Sequence, residues 1–276
     1  MKRIILLFLL LSSISGVTKI YSQEPDEADP YFLLCGEADE AIAEGKYEEA
    51  AERLWDAIMM RPQAPQNLFL RTNLGLIYSY IDKDSLALST LEQVIEIAPT
   101  MKTPRANRAR VLLKLGRDAD ALEEYQNILE LDSTHVEARY YRGMMALYNG
   151  VLDVAEQDFG VLKETAPESL MTARALSSLY SMTGRDREAI PYFKKLLEQE
   201  KAPEYYSGLA GCYIANEDYN EASELLAEAI QTFPDDPELY YYRAQLNRKR
   251  YRIEEARQDA AKAVQLGLNP SKVADF

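Results

Sequence analysis

Residues 139–167, RYYRGMMALYNGVLDVAEQDFGVLKETAP, hold the pattern that decides the fold. Gly143 stands twelve positions before Ala155, and apolar residues follow that alanine at offsets of four and seven. These offsets place the alanine and both apolar side chains on one face of an α-helix. Gly150 can end one helix before the next begins, and Pro167 cannot continue the second. The stretch therefore predicts two antiparallel helices joined by a tight turn.

The same spacing recurs along most of the chain, which predicts an all-α protein built from repeated helix pairs. Equivalent alanines recur every 33 to 37 residues, at Ala50, Ala87, Ala121, Ala155, Ala189, Ala222 and Ala256. A small residue precedes each by twelve positions: Ala38, Gly75, Ala109, Gly143, Ser177, Ala210 and Ala244. Turns are predicted between them at Gly45, Asp82, Gly116, Gly150 and Gly184. We expect the small residue and the alanine to mark the closest approach of the paired helices.

This pattern resembles the tetratricopeptide repeat, whose unit is a helix–turn–helix of 34 residues. Further matching stretches are LGLIYSYIDKDSLALSTLEQVIEIAP (Leu74–Pro99) and GLAGCYIANEDYNEASELLAEAIQTFP (Gly208–Pro234). The resemblance covers about residues 31–270 and implies an α-α superhelix, a solenoid of antiparallel helix pairs. It predicts seven repeats, at about residues 31–64, 68–101, 102–135, 136–169, 170–202, 203–236 and 237–270.

Charged residues replace apolar residues of the family pattern at two places in the first helix. They are Arg71, Arg105 and Arg139 early in the helix, and Glu37, Arg108, Arg142 and Arg243 beside the small residue. We expect looser packing there, or arginine side chains that extend to solvent. The last repeat carries alanines where others are larger, and residues 271–276, read as a C-terminal tail, are too short for a full capping helix. Weak self-association is therefore expected.

Residues 1–22 are typical of a secretory signal peptide. Two basic residues precede the apolar run Ile4–Leu11, which is shorter than the roughly 20 apolar residues that a membrane-spanning helix needs. We predict cleavage after Ser22, with Ser15 and Gly16 as alternative sites and an uncleaved anchor as the other interpretation. The mature chain is then periplasmic or secreted, has no membrane span, and begins with an acidic linker at residues 23–30.

Composition excludes several classes of function. The net charge of −14 disfavours nucleic acid as a partner, because phosphate binding needs a basic surface. One histidine and two cysteines do not suffice for a multi-ligand zinc site, so we predict no metal and no cofactor. No motif of a hydrolase, metalloprotease or nucleotide-binding enzyme occurs, and we predict that the protein is not an enzyme. We expect His135 to lie exposed in a loop, and Cys35 and Cys212 to be buried thiols.

By the family resemblance, the first helices of the repeats line a concave groove that holds an extended peptide or a partner's helix. Their groove-facing side chains lie at offsets −3, +1 and +4 from each small residue, with an adjacent strip. Tyrosine, methionine and arginine, which are enriched in binding hot spots, occur among them. The predicted groove residues are Asn73, Leu76, Tyr80, Asn107, Arg110, Lys114, Tyr140, Tyr141, Met144, Tyr148, Arg174 and Ser178.

A basic segment lies on one of these first helices. Residues 101–117 contain Lys102, Arg105, Arg108, Arg110, Lys114 and Arg117 and no acidic residue. They could hold a carboxylate or an acidic peptide by charge-assisted hydrogen bonds. Alternatively, they pair with Glu92, Glu96, Glu123 and Glu124 of the flanking helices. The tyrosines likewise are either core and groove wall or an aromatic cage.

The sequence thus predicts an exported scaffold that holds a peptide segment or partner protein in a concave groove. The alternative is a structural subunit of a bacterial envelope or secretion assembly, which would use its convex face and its ends.

Overall fold

The computed structural model describes residues 29–276, which form fourteen α-helices in seven consecutive pairs. The pairs are α1 (Pro30–Ala43) and α2 (Tyr47–Met60), α3 (Asn67–Tyr80) and α4 (Asp84–Ile97), α5 (Lys102–Lys114) and α6 (Asp118–Leu131), α7 (Val136–Tyr148) and α8 (Leu152–Thr165), α9 (Leu170–Met182) and α10 (Asp186–Gln199), α11 (Pro203–Ala215) and α12 (Tyr219–Thr232), and α13 (Pro237–Lys249) and α14 (Ile253–Gln265). A 3₁₀ helix at Pro270–Val273 follows. The predicted signal peptide and residues 23–28 of the predicted linker lie outside the described residues.

The described part of the chain divides into two compact units, one that ends at Tyr141 and one from Arg142 to Phe276. In the first unit each helix from α1 to α6 packs on the next along the chain, and α3 also contacts α5. In the second unit the same holds from α8 to α14, and α11 also contacts α13. First helices of neighbouring repeats therefore lie side by side within a unit. The predicted all-α solenoid of antiparallel helix pairs is confirmed.

The small residue of the repeat makes room for a side chain of its partner helix. A Cβ atom built on Gly75 would lie 2.6 Å from Cγ of Leu91, and one built on Gly143 would overlap the ring of Phe159. Both large residues stand four positions after the repeat alanine and are fully buried. The small residue thus lies closest to the side chain four positions after the repeat alanine, and the alanine itself is buried beside this contact.

The predicted turns fall where expected. Gly45, Gly116, Gly150 and Gly184 have positive φ of 71° to 77°, and Asp82 has 57°. A left-handed residue at this place suits glycine, which has no Cβ to clash. Tyr251 takes the same conformation in the last repeat, with φ of 59°.

The charged residues beside the small residue pair with the partner helix. Arg142 donates through Nε and Nη2 to the fully buried Asp158, both at 2.8 Å. Arg243 binds the buried Asp259 in the same way, at 2.9 and 2.6 Å. The expectation of arginines directed to solvent is therefore wrong at these positions, because a carboxylate at offset +3 from the repeat alanine binds each guanidinium. The looser packing stays a prediction.

The first and third repeats use the same two positions. Arg108 pairs with the buried Glu124, which also accepts from Arg105 at 3.0 Å. In the first repeat the charges are exchanged, and Glu37 pairs with Arg53 at 3.0 Å. A charged residue directly before the small residue is therefore accompanied by an opposite charge three positions after the repeat alanine. In the remaining repeats leucine stands directly before the small residue.

Both cysteines are buried, as predicted, and they lie in different units. Burial raises the pKa of the Cys212 thiol to about 12, which suppresses the reactive thiolate. Among the described helices, none combines the length and hydropathy that crossing a bilayer requires.

Candidate functional site

The first unit presents a polar face along α3 and α5. Asn73 and Tyr80 are half-buried, and the Tyr80 ring lies 5.0 Å from that of Tyr47. Leu76 and Asn107, which were predicted to face the groove, are buried. Asn107 donates through Nδ2 to the backbone carbonyl of Thr72 at 3.4 Å. Neighbouring first helices are thus linked by the side chain of one predicted groove residue, Asn107.

Arg110 is bound by a carboxylate of its own chain. Its Nε donates to Oε1 of Glu137 at 2.7 Å and its Nη2 to the other oxygen, and Nη1 donates to Oδ1 of Asn107 at 3.2 Å. Burial lowers the pKa of the Arg110 guanidinium, but the charge and hydrogen bonds of Glu137 outweigh this and raise the pKa overall. A bidentate pair of this kind is the arrangement in which an arginine would hold a ligand carboxylate.

The other bases of residues 101–117 also contact acidic side chains. Lys114 binds Asp82 and Asp84 at 2.8 and 2.9 Å and the Ser79 carbonyl at 2.6 Å. The remaining pairs are Lys102 with Asp132, Arg105 with Glu124, Arg108 with Glu124 and Glu92, and Arg117 with Asp120. Of the two interpretations, the structure favours internal pairing, with Glu92 and Glu124 as expected but with no ion pair shown to Glu96 or Glu123.

The tyrosines of α7 in the first unit form part of the core. Tyr140 is buried, and its ring meets that of Tyr141 edge-on at 5.1 Å. Tyr141 stacks on the fully buried Tyr125 at 5.1 Å with an interplanar angle of 10°. Burial raises the pKa of Tyr125 well above 10. This arrangement favours the interpretation of core and wall over that of an aromatic cage.

The second unit presents a more open face. Tyr148 at the end of α7 is 52% exposed and Met182 at the end of α9 is 56% exposed, whereas Met144 is buried and Ser178 half-buried. Tyr148 and Met182 occupy the same position, five after the small residue, in consecutive repeats. The open part of this face therefore offers one aromatic and one thioether side chain.

Arg174 lies on the same helix as Met182. Its Nε donates to the hydroxyl oxygen of Tyr205 at 2.7 Å and its Nη2 donates to Glu200 at 3.2 Å. Its guanidinium is thereby held by Glu200 at the end of its own repeat and by Tyr205 of the next one.

His135 differs from the prediction of an exposed loop residue. It is half-buried, and its Nδ1 accepts a hydrogen bond from the backbone N–H of Ala138 at 3.3 Å. It therefore caps the first turn of α7. Burial lowers the pKa of His135, which outweighs the opposite effect of Glu137 and Asp132.

We expect an NMR titration of His135, the chain's single histidine, to give a pKa below 6.5 in the folded protein. Because the folded pKa is lower than the unfolded one, this residue stabilises the fold above about pH 6.5, and the contribution is lost as the pH falls. The same titration in urea, where the chain is unfolded, is the control. A folded pKa equal to or above the unfolded one would contradict the capping role.

Across residues 29–276 no three histidine, cysteine, aspartate or glutamate side chains gather closely enough to hold a metal ion.

The sequence analysis did not predict which side chains bind Arg110 and Arg174. Glu137, Tyr205 and Glu200 each lie about 26 to 31 residues after their arginine. The only sequence feature that could have indicated these partners is an oppositely charged residue roughly one repeat downstream of the arginine. Many surface residues of a charged solenoid have such a residue, so the feature is not specific.

Comparison with known proteins agrees with this architecture. Family models described as tetratricopeptide repeat match residues 70–101, 107–169 and 182–246, together more than half of the chain. The human protein "DnaJ homolog subfamily C member 7" is 26% identical over 177 residues, which are 64% of this chain and 32% of the human protein. The chain thus spans about a third of the length of this curated relative.

Solved structures share the fold. A tetratricopeptide repeat protein from Parabacteroides merdae superposes with a TM-score of 0.62 at 27% identity, covering 88% of this chain and 95% of that one. YrrB, described as a tetratricopeptide repeat protein with an unusual peptide-binding site, superposes with a TM-score of 0.56 at 20% identity, covering 66% of this chain and 94% of its own. With the helix pairs, the buried small residues and the matching family models, the chain belongs to the tetratricopeptide repeat family.

Proposed function

We propose that the protein is an exported, non-enzymatic scaffold that holds a peptide segment or a partner protein against the first helices of its repeats. The observation that carries this proposal is the exposure of Tyr148 and Met182. Both stand in the strip adjacent to the groove-facing offsets in consecutive repeats, where the neighbouring predicted residues Tyr140 and Met144 are buried.

Two exposed side chains of this kind are suited to protein recognition. Tyrosine and methionine offer large contact areas, and they are over-represented where partner proteins bind. Their apolar surface gains free energy when a ligand covers it, at about 25 cal/mol per Å². The partner therefore needs an apolar or aromatic side chain for each of them.

The proposal agrees with what the comparisons describe. YrrB carries a peptide-binding site on the same fold, although its low identity establishes only the fold. Family membership supports protein binding in general and leaves the partner to experiment.

An acidic segment on the partner remains a prediction. The pairing of Arg110 with Glu137 means that a ligand carboxylate would have to displace an internal one. If it does so, binding must weaken as salt rises, because screened charges attract less. Titration at two ionic strengths with equal affinities would contradict an acidic ligand.

Affinity capture from the envelope fraction of the source cells tests the groove. We expect the unaltered chain to retain a protein that the double variant Tyr148→Ser/Met182→Ser loses. Tyr251→Ser is the control, because Tyr251 is an exposed tyrosine, 89% accessible to solvent, that lies in a turn and not on a first helix. If every captured protein also remains on the double variant, the groove proposal fails.

Export is a separate part of the proposal and rests on residues 1–22. Terminal sequencing of the protein recovered from its native cells is expected to read Gln23 first, and the protein should be found outside the cytoplasm. Recovery from the cytoplasm with Met1 retained would contradict export.

One observation favours the second function, a structural subunit that binds through its second helices. Trp55, the chain's single tryptophan, is 46% exposed on α2, and Met59 and Met60 are exposed on the same helix. In the capture experiment, a partner lost by Trp55→Ser and kept by the groove variant would assign binding to this surface.

A further inference from the structure

The segment Asn269–Phe276 lies against α13, the first helix of the last repeat. It leaves α14 through the buried Leu268 and forms a short 3₁₀ turn. Its backbone N–H groups bond within the segment, from Ser271 to Oδ1 of Asn269 and from Phe276 to the Val273 carbonyl. The segment therefore reaches α13 with its side chains.

Two side chains of the segment make these contacts. Lys272 Nζ lies 2.6 Å from Oε1 of Glu238 and 5.7 Å from the centroid of the Tyr241 ring. The Phe276 ring meets Tyr241 edge-on at 6.3 Å, and the Arg248 guanidinium lies 5.4 Å from the Phe276 centroid. One ion pair, one aromatic pair and two cation–π contacts thus hold a lysine and an aromatic residue four positions apart.

The residues of α13 that the segment contacts include two at groove-facing offsets. Tyr241 and Arg248 stand at offsets −3 and +4 from Ala244, the groove-facing offsets. Lys272 follows Glu238 by 34 residues, which is one repeat. The segment therefore lies where the first turn of another first helix would pack, over residues that a groove ligand would contact.

We propose that the α13 surface formed by Glu238, Tyr241 and Arg248 is a docking site for a short peptide carrying a lysine and, four residues later, an aromatic residue. The chain's own segment 270–276 occupies this site in the isolated molecule. Glu238 selects the lysine by charge, and Tyr241 and Arg248 enclose the aromatic ring from its edge and face.

The chain's own segment can leave this site and be replaced by another peptide. The Lys272 and Glu238 side chains are each about 31% exposed, so solvent screens their attraction. A tethered segment nevertheless outcompetes a free peptide, because the short link keeps it at a millimolar effective concentration. A consequence, which rests on the proposed function, is that a groove ligand covers the last repeat only when this segment leaves.

Fluorescence anisotropy with a labelled synthetic peptide of residues 269–276, NPSKVADF, tests the docking site. We expect the peptide to bind a chain lacking residues 270–276 at least tenfold more tightly than the chain that retains them. A peptide with Phe276→Ala should lose this binding. A Glu238→Lys chain should reject the native peptide and accept the Lys272→Glu peptide.

No binding to the shortened chain, or equal binding to both chains, would overturn the inference. If the shortened chain fails to fold, Lys272→Ala/Phe276→Ala in the longer chain opens the site while keeping the backbone, and it must gain peptide binding. None of these variants changes Tyr148 or Met182. A negative result in the peptide-binding experiment is therefore distinguishable from a negative result in the capture experiment that tests the groove proposal.

Discussion

Asp158→Ala is expected to lower the free energy of unfolding by about 3 kcal/mol. Asp158 is 0% exposed and accepts two hydrogen bonds from Arg142. Its removal leaves a partly buried guanidinium without its carboxylate, which costs more than the pair itself contributes. The estimate stands at the low end of the range for buried pairs because Arg142 remains about 24% exposed. Urea unfolding followed by circular dichroism measures the change.

The chain supplies the matched control for this prediction. Leu209 and Leu225 occupy the equivalent positions in the sixth repeat. Arg142→Leu/Asp158→Leu should therefore recover most of the loss, since it removes both charges and keeps an apolar contact. Asp153→Ala, at an exposed position of α8, should change stability by less than about 0.5 kcal/mol. An Asp158→Ala variant as stable as Asp153→Ala would contradict the assignment.

Gly143→Val is expected to destabilise the protein by about 3 kcal/mol, because the new side chain overlaps the Phe159 ring. Phe159 is fully buried, so any shift of its ring must displace other side chains of the core. The gain in helix propensity on replacing glycine is below about 1 kcal/mol and does not offset the overlap.

Gly160→Val is the matched control, because a Cβ there meets nothing within 4 Å. We expect it to leave stability nearly unchanged. In a Phe159→Ala background, Gly143→Val should cost much less than in the native chain, since residues in contact do not contribute additively. Equal costs in both backgrounds would show that the two residues do not face each other.

Much of the fold could be predicted from local pattern. Gly45, Gly116, Gly150 and Gly184 were predicted as turns because only glycine adopts a left-handed conformation without strain, and the structure confirms them. The burial of Cys35 and Cys212 followed from their place on helices of a repeat. These features depend on residues within one helix pair.

The candidate site was less predictable. Arg110 and Arg174 were correctly placed on first helices, but their partners Glu137, Glu200 and Tyr205 lie 26 to 31 residues further along the chain, beyond the partner helix of the same pair. Tyr140 and Met144 stand at the groove-facing offsets −3 and +1 and are nevertheless buried, whereas Tyr148, at +5, is exposed. An offset gives the direction of a side chain from its helix and does not give the distance to the next helix.

By itself the sequence determined the helix pairs, their number and the turns of the first five, because the 34-residue period and the 3.6-residue helical period are local properties of the chain. Only the tertiary structure decided which charged and aromatic side chains remain open. That outcome depends on residues about one repeat apart meeting across neighbouring helices, as Arg110 meets Glu137 and Lys272 meets Glu238. Electrostatic attraction and burial act over such distances in space, and sequence spacing alone does not specify them.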